Sequence, residues 1–242
     1  MNQLKISTVI FLAFCSILFT YAQKKEISFI PIEHATFLIK TNSTTILVDP
    51  GKMDIEKYKV CEKPDLILIT HVHADHFDLD ILKKLKGENT TLIAPEIVVE
   101  KAGFGKILKN NETTTYGKIK IEAIPMYNIT PDRQKYHKKG EGNGYVLTIG
   151  KERIYISGDT EDIPEMRVLK NIDYAFICMN LPYTMSPEQA ASAVLEFKPK
   201  IVCPYHYRTQ NTSNDEILER FTKLVSANKR IKIEYLSWYK EL

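Results

Sequence analysis

The residues best suited to chemistry are four potential metal ligands in one short segment, the HVHADH sequence at residues 71–76, which holds three of the six histidines of the chain. Because side chains two apart on an extended segment point the same way, His71 and His73 can hold one ion together. Asp75 and His76 follow where the chain turns toward a helix and can address a second ion. Imidazole and carboxylate groups are the usual ligands of zinc. A polar loop with solvated histidines is the alternative, and the spacing disfavours it.

Two further candidates each follow an apolar run of strand length. Asp159 comes after Arg153–Ser157, and His206 comes after Ile201–Cys203. Asp159 could instead cap a turn, and His206 could be an ordinary surface histidine. Their positions directly after a strand favour metal ligands in both cases.

A site of this kind predicts hydrolysis. A metal-bound water has a pKa of about 7, so hydroxide is available at neutral pH. Such a hydroxide can attack a carbonyl or phosphoryl centre while a metal polarises the oxygen that gains charge, and Asp75 can accept the proton of the attacking water. This chemistry needs no serine or cysteine nucleophile. The sequence has no nucleophile elbow and no phosphate-binding glycine loop.

The elements that would position these residues are short strands and helices in both halves of the chain. Strands outnumber helices, which fits an α/β (α+β) protein with two sheets covered by helices on their outer faces, an αββα arrangement. Other α/β arrangements share this pattern. Ser186 and Gln189 predict a capping box, Pro199 stops that helix, and residues 127–143 form a long loop. We predict strands at 27–30, 35–40, 44–48, 65–70, 91–94, 118–126, 144–149, 153–157, 174–179, 201–203 and 231–235, and further helices at 77–86, 95–101, 164–170 and 215–225.

The HVHADH segment matches the H-x-H-x-D-H signature of the metallo-β-lactamase superfamily, and the resemblance extends across nearly the whole chain after residue 22. It implies the four-layer αββα sandwich of that fold. It also implies that Asp159 bridges two metals and that His206 completes the second site. The segment Pro182–Met185 is similar to the branch that contains L-ascorbate-phosphate lactonase.

The first metal site departs from the common pattern of that superfamily. Many members carry a third histidine at the end of the strand that corresponds to 118–126, where this sequence has Tyr127 and Asn128. Three explanations are open: His137 reaches the site from the loop, Asn128 supplies its amide oxygen, or the site is weak. His34 lines the site as a metal or substrate group, or else is a structural histidine.

The N-terminus has the layout of a secretory signal: Lys5, a mostly apolar stretch over 6–19, and the small residue Ala22. We expect residues 1–22 to be a signal peptide and 23–242 to form one hydrolase domain, secreted or periplasmic. A membrane anchor is disfavoured, because the apolar stretch is shorter than the roughly 20 residues of a spanning helix. The net charge of +3, without long basic runs, excludes no enzyme class but does not indicate nucleic-acid binding.

These features predict an exported hydrolase that uses two Zn²⁺ ions, or Mn²⁺, on an ester, lactone or phosphodiester of a small molecule. Its loop carries cations that could hold an anionic substrate, although for any single one of them a solvated side chain is the favoured interpretation. A non-catalytic metal-binding protein on the same scaffold and a β-lactamase are the alternatives. The loop residues concerned are Arg133, Lys135, His137, Lys138 and Lys139.

Overall fold

The computed structural model of the chain describes residues 27–208 and 212–239. The predicted signal peptide, residues 1–22, lies outside the described residues. Within them, two sheets of six and seven strands pack against each other. None of the described helices is long and apolar enough to cross a bilayer.

The first sheet has its strands in sequence order, antiparallel for the first three and parallel from the third onward. Buried apolar runs such as Leu66–Leu68 form its parallel part, as expected for strands covered on both faces. The strands are β1 (Ser28–Glu33), β2 (Thr36–Lys40), β3 (Thr45–Val48), β4 (Leu66–Leu68), β5 (Thr91–Ala94) and β6 (Lys106–Ile107).

The second sheet runs in the order β13-β12-β11-β10-β9-β8-β7. Its first four strands in that order pair in parallel, and the remaining pairs are antiparallel. The strands are β7 (Thr113–Tyr116), β8 (Ile119–Met126), β9 (Gly142–Ile149), β10 (Glu152–Ile156), β11 (Tyr174–Cys178), β12 (Ile201–Tyr205) and β13 (Lys232–Ile233).

Five described α-helices connect these strands. Two follow strands of the first sheet and three follow strands of the second. They are α1 (Leu79–Leu85), α2 (Glu96–Ala102), α3 (Pro164–Arg167), α4 (Pro187–Phe197) and α5 (Asn214–Val225).

The side-chain packing defines four layers. Phe37 of β2 stacks on Phe176 of β11 across the two sheets, with ring centroids 4.6 Å apart. The next residue, Leu38, points the other way, into the cluster that holds the apolar faces of α1 and α2. On the second sheet, Tyr155 meets Phe197 of α4 edge to face. The order helix, sheet, sheet, helix confirms the predicted αββα sandwich of the metallo-β-lactamase fold.

Most of the predicted helices and strands are present in the structure. The strands that the sequence did not predict are those with mostly polar residues. The capping box of α4 is present: Ser186 Oγ accepts from the Gln189 backbone N–H, and the Gln189 side-chain oxygen accepts from the Ser186 N–H. The helix predicted at 164–170 is shorter and ends at Arg167. Strands β6 and β7 were not predicted, because their residues are mostly exposed and lack an apolar alternation.

Candidate metal centre

Loops at one edge of the two sheets carry the candidate residues. His34 lies in the turn between β1 and β2, and residues 71–76 lie between β4 and α1. His137 belongs to the loop between β8 and β9. Asp159 follows β10, and His206 follows β12. Although they come from five places in the sequence, these side chains converge on one centre.

Three non-glycine residues of this edge have left-handed backbone: His34 at φ 57°, Asp49 at φ 46° and His206 at φ 49°. Such conformations cost of order 1 kcal/mol or more each and gather where a fold must aim a side chain. The strain therefore lies where the candidate ligands are positioned.

The first cluster consists of His71, His73 and His137, whose ligand atoms all lie within 4.8 Å of one another. Nε2 of His71 is 3.0 Å from Nδ1 of His73. Nε2 of His137 faces Asp159, with 3.6 Å to Oδ2. Three explanations were open for the missing third histidine of the first site. The structure agrees with the first of them, because it places His137 beside His71 and His73.

The second cluster consists of Asp75, His76 and His206. Nε2 of His206 is 3.3 Å from Asp75 Oδ2, and Nε2 of His76 is 3.9 Å from the same oxygen. Asp159 Oδ1 lies 3.4 Å from His76 Nε2 and 3.7 Å from His206 Nε2. His34 adjoins this cluster, with its Nε2 3.5 Å from Asp75 Oδ2.

Asp159 thus faces the first cluster with Oδ2 and the second with Oδ1. A carboxylate in this position can bind two ions at once. The side chain is nearly inaccessible to solvent, whereas that of Asp75 is 45% exposed. The two carboxylates therefore have different access to a substrate.

Several buried atoms of the centre have no hydrogen-bond partner among the described residues: His76 Nε2, His137 Nε2 and Asp159 Oδ1. Leaving such atoms buried and unpaired costs on the order of 1–3 kcal/mol each. All three point into the clusters, and imidazole with carboxylate is the donor set of zinc and related divalent metals. The residues present therefore fit a metal-binding site.

The pKa shifts describe a centre of tightly coupled charges. Burial lowers the pKa of His137 to about 4 and lowers that of His71 well below its usual value. Both imidazoles are therefore neutral at neutral pH, as a metal ligand must be. Burial also opposes charge on His76, but the carboxylates of Asp159 and Asp49 outweigh it and raise the pKa of His76.

The two carboxylates of the centre, Asp75 and Asp159, have lowered pKa values because, against the effect of burial, neighbouring histidines favour their charged form. Burial alone would raise their pKa, but His206 and His76 outweigh it at Asp159, and His206 and His34 do so at Asp75. The pKa of each is lowered. Both are ionised at neutral pH and available to a cation.

Asp49 holds the histidine segment in place. Its Oδ1 accepts from the Thr70 backbone N–H at 2.7 Å, and its Oδ2 accepts from the Thr70 hydroxyl at 2.8 Å. Oδ2 also lies 2.8 Å from Nδ1 of His76, which leaves Nε2 of that ring facing the cluster. A carboxylate that contacts one ring nitrogen of a histidine in this way fixes which nitrogen is turned toward a metal.

Asn128 lies behind His137 rather than beside it. Its amide nitrogen donates to the backbone oxygens of Arg133 and Tyr183, at 2.9 and 2.7 Å, and lies 3.3 Å from Nδ1 of His137. That is the ring nitrogen turned away from Asp159. These contacts tie Asn128 to the loop that carries His137, while its amide oxygen is buried and has no hydrogen-bond partner among the described residues.

Two of the loop cations form ion pairs within the fold. Arg133 pairs with the buried carboxylate of Glu161 at 2.7 Å, and Lys139 pairs with Glu165 at 3.0 Å. Both charges are used to hold the loop, a role that only tertiary contacts reveal. Of the five loop residues, only His137 lines the cavity.

A cavity of about 500 Å³ opens over the two clusters, a size that suits a small organic substrate. Sequence reasoning missed Asn180, whose side chain contacts Nδ1 of His206 at 3.0 Å, and Arg208 at the cavity wall. No local pattern marks either residue. The cavity is lined by His34, His73, Asp75, Tyr136, His137, Asp159, Asn180, Tyr183 and Arg208.

Known proteins share this sequence and architecture. The family model described as the beta-lactamase superfamily domain matches residues 27–206. A UPF0173 metal-dependent hydrolase from Lysinibacillus sphaericus is 32% identical over 192 residues, which cover 73% of this chain and 83% of that protein. One from Thermococcus onnurineus is 33% identical over 187 residues, covering 73% and 82%.

Solved structures of metal-dependent hydrolases are also similar to this chain. The crystal structure of a proposed metal-dependent hydrolase from Parabacteroides distasonis is 42% identical and superposes with a TM-score of 0.78, covering 86% of this chain and 92% of the other. Igni18, a metallo hydrolase from Ignicoccus hospitalis, is 21% identical with a TM-score of 0.69 over 87% and 94%, which shows the shared fold alone. The chain belongs to the β-lactamase superfamily, as a metal-dependent hydrolase of the UPF0173 family with the metallo-β-lactamase fold.

Proposed function

We propose that this chain is a binuclear hydrolase that cleaves an ester, lactone or phosphodiester bond in a small molecule. One observation carries the proposal: Asp159 faces a separate cluster of potential ligands with each of its carboxylate oxygens. A single structural ion would need only one of the two clusters.

The proposed ligands follow from these contacts. His71, His73 and His137 would hold one ion, and Asp75, His76 and His206 would hold the other. Asp159 would serve both. His34 lines the cavity beside Asp75 and keeps that carboxylate in position from its exposed side.

Divalent metal ions bound by such residues supply a hydroxide nucleophile at neutral pH and polarise the bond to be cleaved. Asp75 is the proposed proton acceptor, because its side chain is 45% exposed, whereas that of Asp159, which also lines the cavity, is nearly inaccessible to solvent. The five histidines among the proposed ligands favour zinc over manganese, since imidazole is a better ligand for zinc.

Export is a second part of the proposal and depends on the sequence of residues 1–22 alone. N-terminal sequencing of the protein recovered from the cell envelope or medium of an expressing bacterium tests it. A mature chain that starts near Gln23 supports export. A chain that retains Lys5 and stays in the cytosol contradicts it.

The hydrolase proposal is tested with four substrate classes: 4-nitrophenyl butyrate, δ-valerolactone, bis(4-nitrophenyl) phosphate and the β-lactam nitrocefin. We expect turnover of at least one of the first three, lost on chelation and restored by Zn²⁺ or Mn²⁺. The His71→Ala/His73→Ala double variant should be inactive, while Asp132→Asn, at an exposed loop position, should match the parent. No metal-dependent turnover of any substrate would leave the non-catalytic alternative, and turnover of nitrocefin alone would support a β-lactamase.

A further inference from the structure

Arg208 lies where two cavities adjoin. It follows the end of β12 and is two residues from His206. It lines the cavity over the metal clusters and also a neighbouring one of about 380 Å³. His34 and Asp75 line both cavities as well. A substrate that bridges the two spaces would therefore pass Arg208 and the proposed catalytic carboxylate together.

Arg208 forms no ion pair with the residues that the structure describes, 27–208 and 212–239. Whereas Arg133 and Arg167 end in ion pairs with carboxylates, no acidic group within residues 27–208 and 212–239 lies within 4 Å of the Arg208 guanidinium. The guanidinium instead lies over the ring of Tyr239, 4.2 Å from its centroid. Stacking occupies the face of the guanidinium and leaves its in-plane N–H groups able to bind an anion.

Tyr239 fixes this arginine relative to the second cluster. Its hydroxyl accepts from the Arg208 backbone N–H at 3.2 Å and lies 2.8 Å from Nδ1 of His34. The His34 ring in turn packs against the His206 ring, with centroids 3.8 Å apart and ring planes tilted by 36°. A short chain of contacts therefore links Arg208 to a proposed metal ligand, so the guanidinium is held at a defined place on the cavity wall.

We infer that Arg208 is an anion-binding subsite and that the substrate carries a carboxylate or phosphate group remote from the bond that is cleaved. The inference rests on the proposed function. The planar fork of a guanidinium matches both anions, and Asp75 and Asp159 would otherwise repel them. In this arrangement Arg208 would select the substrate, while the metal ligands would carry out the hydrolysis.

The test compares two esters of equal chain length. One is the 4-nitrophenyl monoester of adipic acid, whose free carboxylate is remote from the scissile bond. The other is 4-nitrophenyl hexanoate, which is neutral. The readout is the ratio of kcat/KM for the anionic ester to that for the neutral ester, because a purely structural role for Arg208 would change both values and leave their ratio constant.

Three variants accompany the parent. Arg208→Gln should lower the ratio by about tenfold to a hundredfold, mainly through KM of the anionic ester, as expected for loss of a charge-assisted hydrogen bond. Arg208→Lys should restore part of the ratio, since it keeps the charge. Arg230→Gln, the same change at an exposed arginine outside both cavities, should not alter it. An unchanged ratio in Arg208→Gln overturns the inference.

A binding experiment separates this inference from the proposed function. Monoethyl adipate and monoethyl phosphate are titrated into the purified protein by calorimetry, which also tells a carboxylate from a phosphate preference. Binding of either anion that weakens at least tenfold in Arg208→Gln, and not in Arg230→Gln, supports the subsite even if no ester is hydrolysed. Equal binding to parent and Arg208→Gln, or no binding of either anion to the parent, overturns it.

Discussion

Oδ2 of Asp49 lies 2.8 Å from Nδ1 of His76, and both side chains are fully buried. This contact, at the end of β3, turns the other ring nitrogen of His76 toward the second cluster. Partners of this kind typically change metal affinity by about 10- to 100-fold when they are removed.

We therefore predict that Asp49→Asn weakens zinc binding at the second site by about 10- to 100-fold. An asparagine cannot accept from Thr70 and His76 with both of its side-chain atoms, so one contact is lost. Competition with a chromogenic chelator measures the affinity. Asp132→Asn is the control, and equal affinities in both variants would show that Asp49 does not orient His76.

His137 and Asn128 give a direct comparison at the first site. His137→Ala should lower the metal content by about one ion per chain, because the first cluster loses a ligand. Asn128→Ala should keep both ions, with weaker binding at the first site, because the amide supports the loop from behind. The number of metal ions per chain, measured in both variants, shows which of the two residues is the metal ligand. Loss of an ion in Asn128→Ala alone would make the asparagine the ligand.

Glu161 fastens the loop that carries His137. It accepts from the backbone N–H groups of Ile129 and Thr130 and from the Arg133 guanidinium. Burial alone would raise the pKa of Glu161, but the hydrogen bonds from Thr130 and Ile129 and the contact with Arg133 together lower it. A lowered pKa in the folded state means that the carboxylate stabilises the fold above its unfolded pKa of about 4.3 and that this contribution disappears as pH falls through the folded value.

We predict that Glu161→Gln lowers the free energy of unfolding by about 1–3 kcal/mol at pH 7 and by less at pH 3.5. Urea unfolding at the two pH values measures the difference. Glu165→Gln, which removes a partly exposed partner of Lys139, should cost no more than about 1 kcal/mol. A loss in Glu161→Gln that does not depend on pH would contradict the assigned role of its charge.

Gly51 lets two segments of the site approach closely. A Cβ at this position would lie 2.0 Å from the backbone oxygen of Asp75. Gly51→Ala should therefore displace Asp75, destabilise the protein by at least about 2 kcal/mol and weaken the second metal site. At Gly87 the nearest atom is Cδ of the flexible Lys63 side chain, at 3.2 Å, so Gly87→Ala should have little effect. Thermal unfolding of both variants tests this, and equal Tm values would contradict it.

The sequence predicts those metal-site residues whose relative positions are set by their spacing along one short segment. Residues 71–76 place their ligands by the periodicity of an extended segment and a following turn. Asp159 and His206 were predicted from the resemblance to the superfamily, and their positions directly after an apolar strand favoured the same interpretation. The same local rules predicted most strands, since the buried faces of both sheets require apolar runs.

The parts that the sequence does not predict depend on contacts between distant segments. His137 reaches the first cluster only because Glu161 and Arg133 fix its loop, and loop residues carry no periodicity that would indicate this. Arg208 depends on Tyr239, which is 31 residues away. Whether a cation is paired or free to bind a ligand is decided by tertiary structure, which pairs Arg133 with Glu161 and places Arg208, for which the sequence gives no signal, at the cavity wall.

The central claim is that two ions bind on either side of Asp159, and metal content by mass spectrometry tests it most directly. The purified protein is loaded with Zn²⁺ or Mn²⁺, desalted and measured beside the His71→Ala/His73→Ala variant. We predict about two ions per chain in the parent and at most one in the variant. A parent protein that holds one ion or none after loading with either metal would contradict the binuclear site.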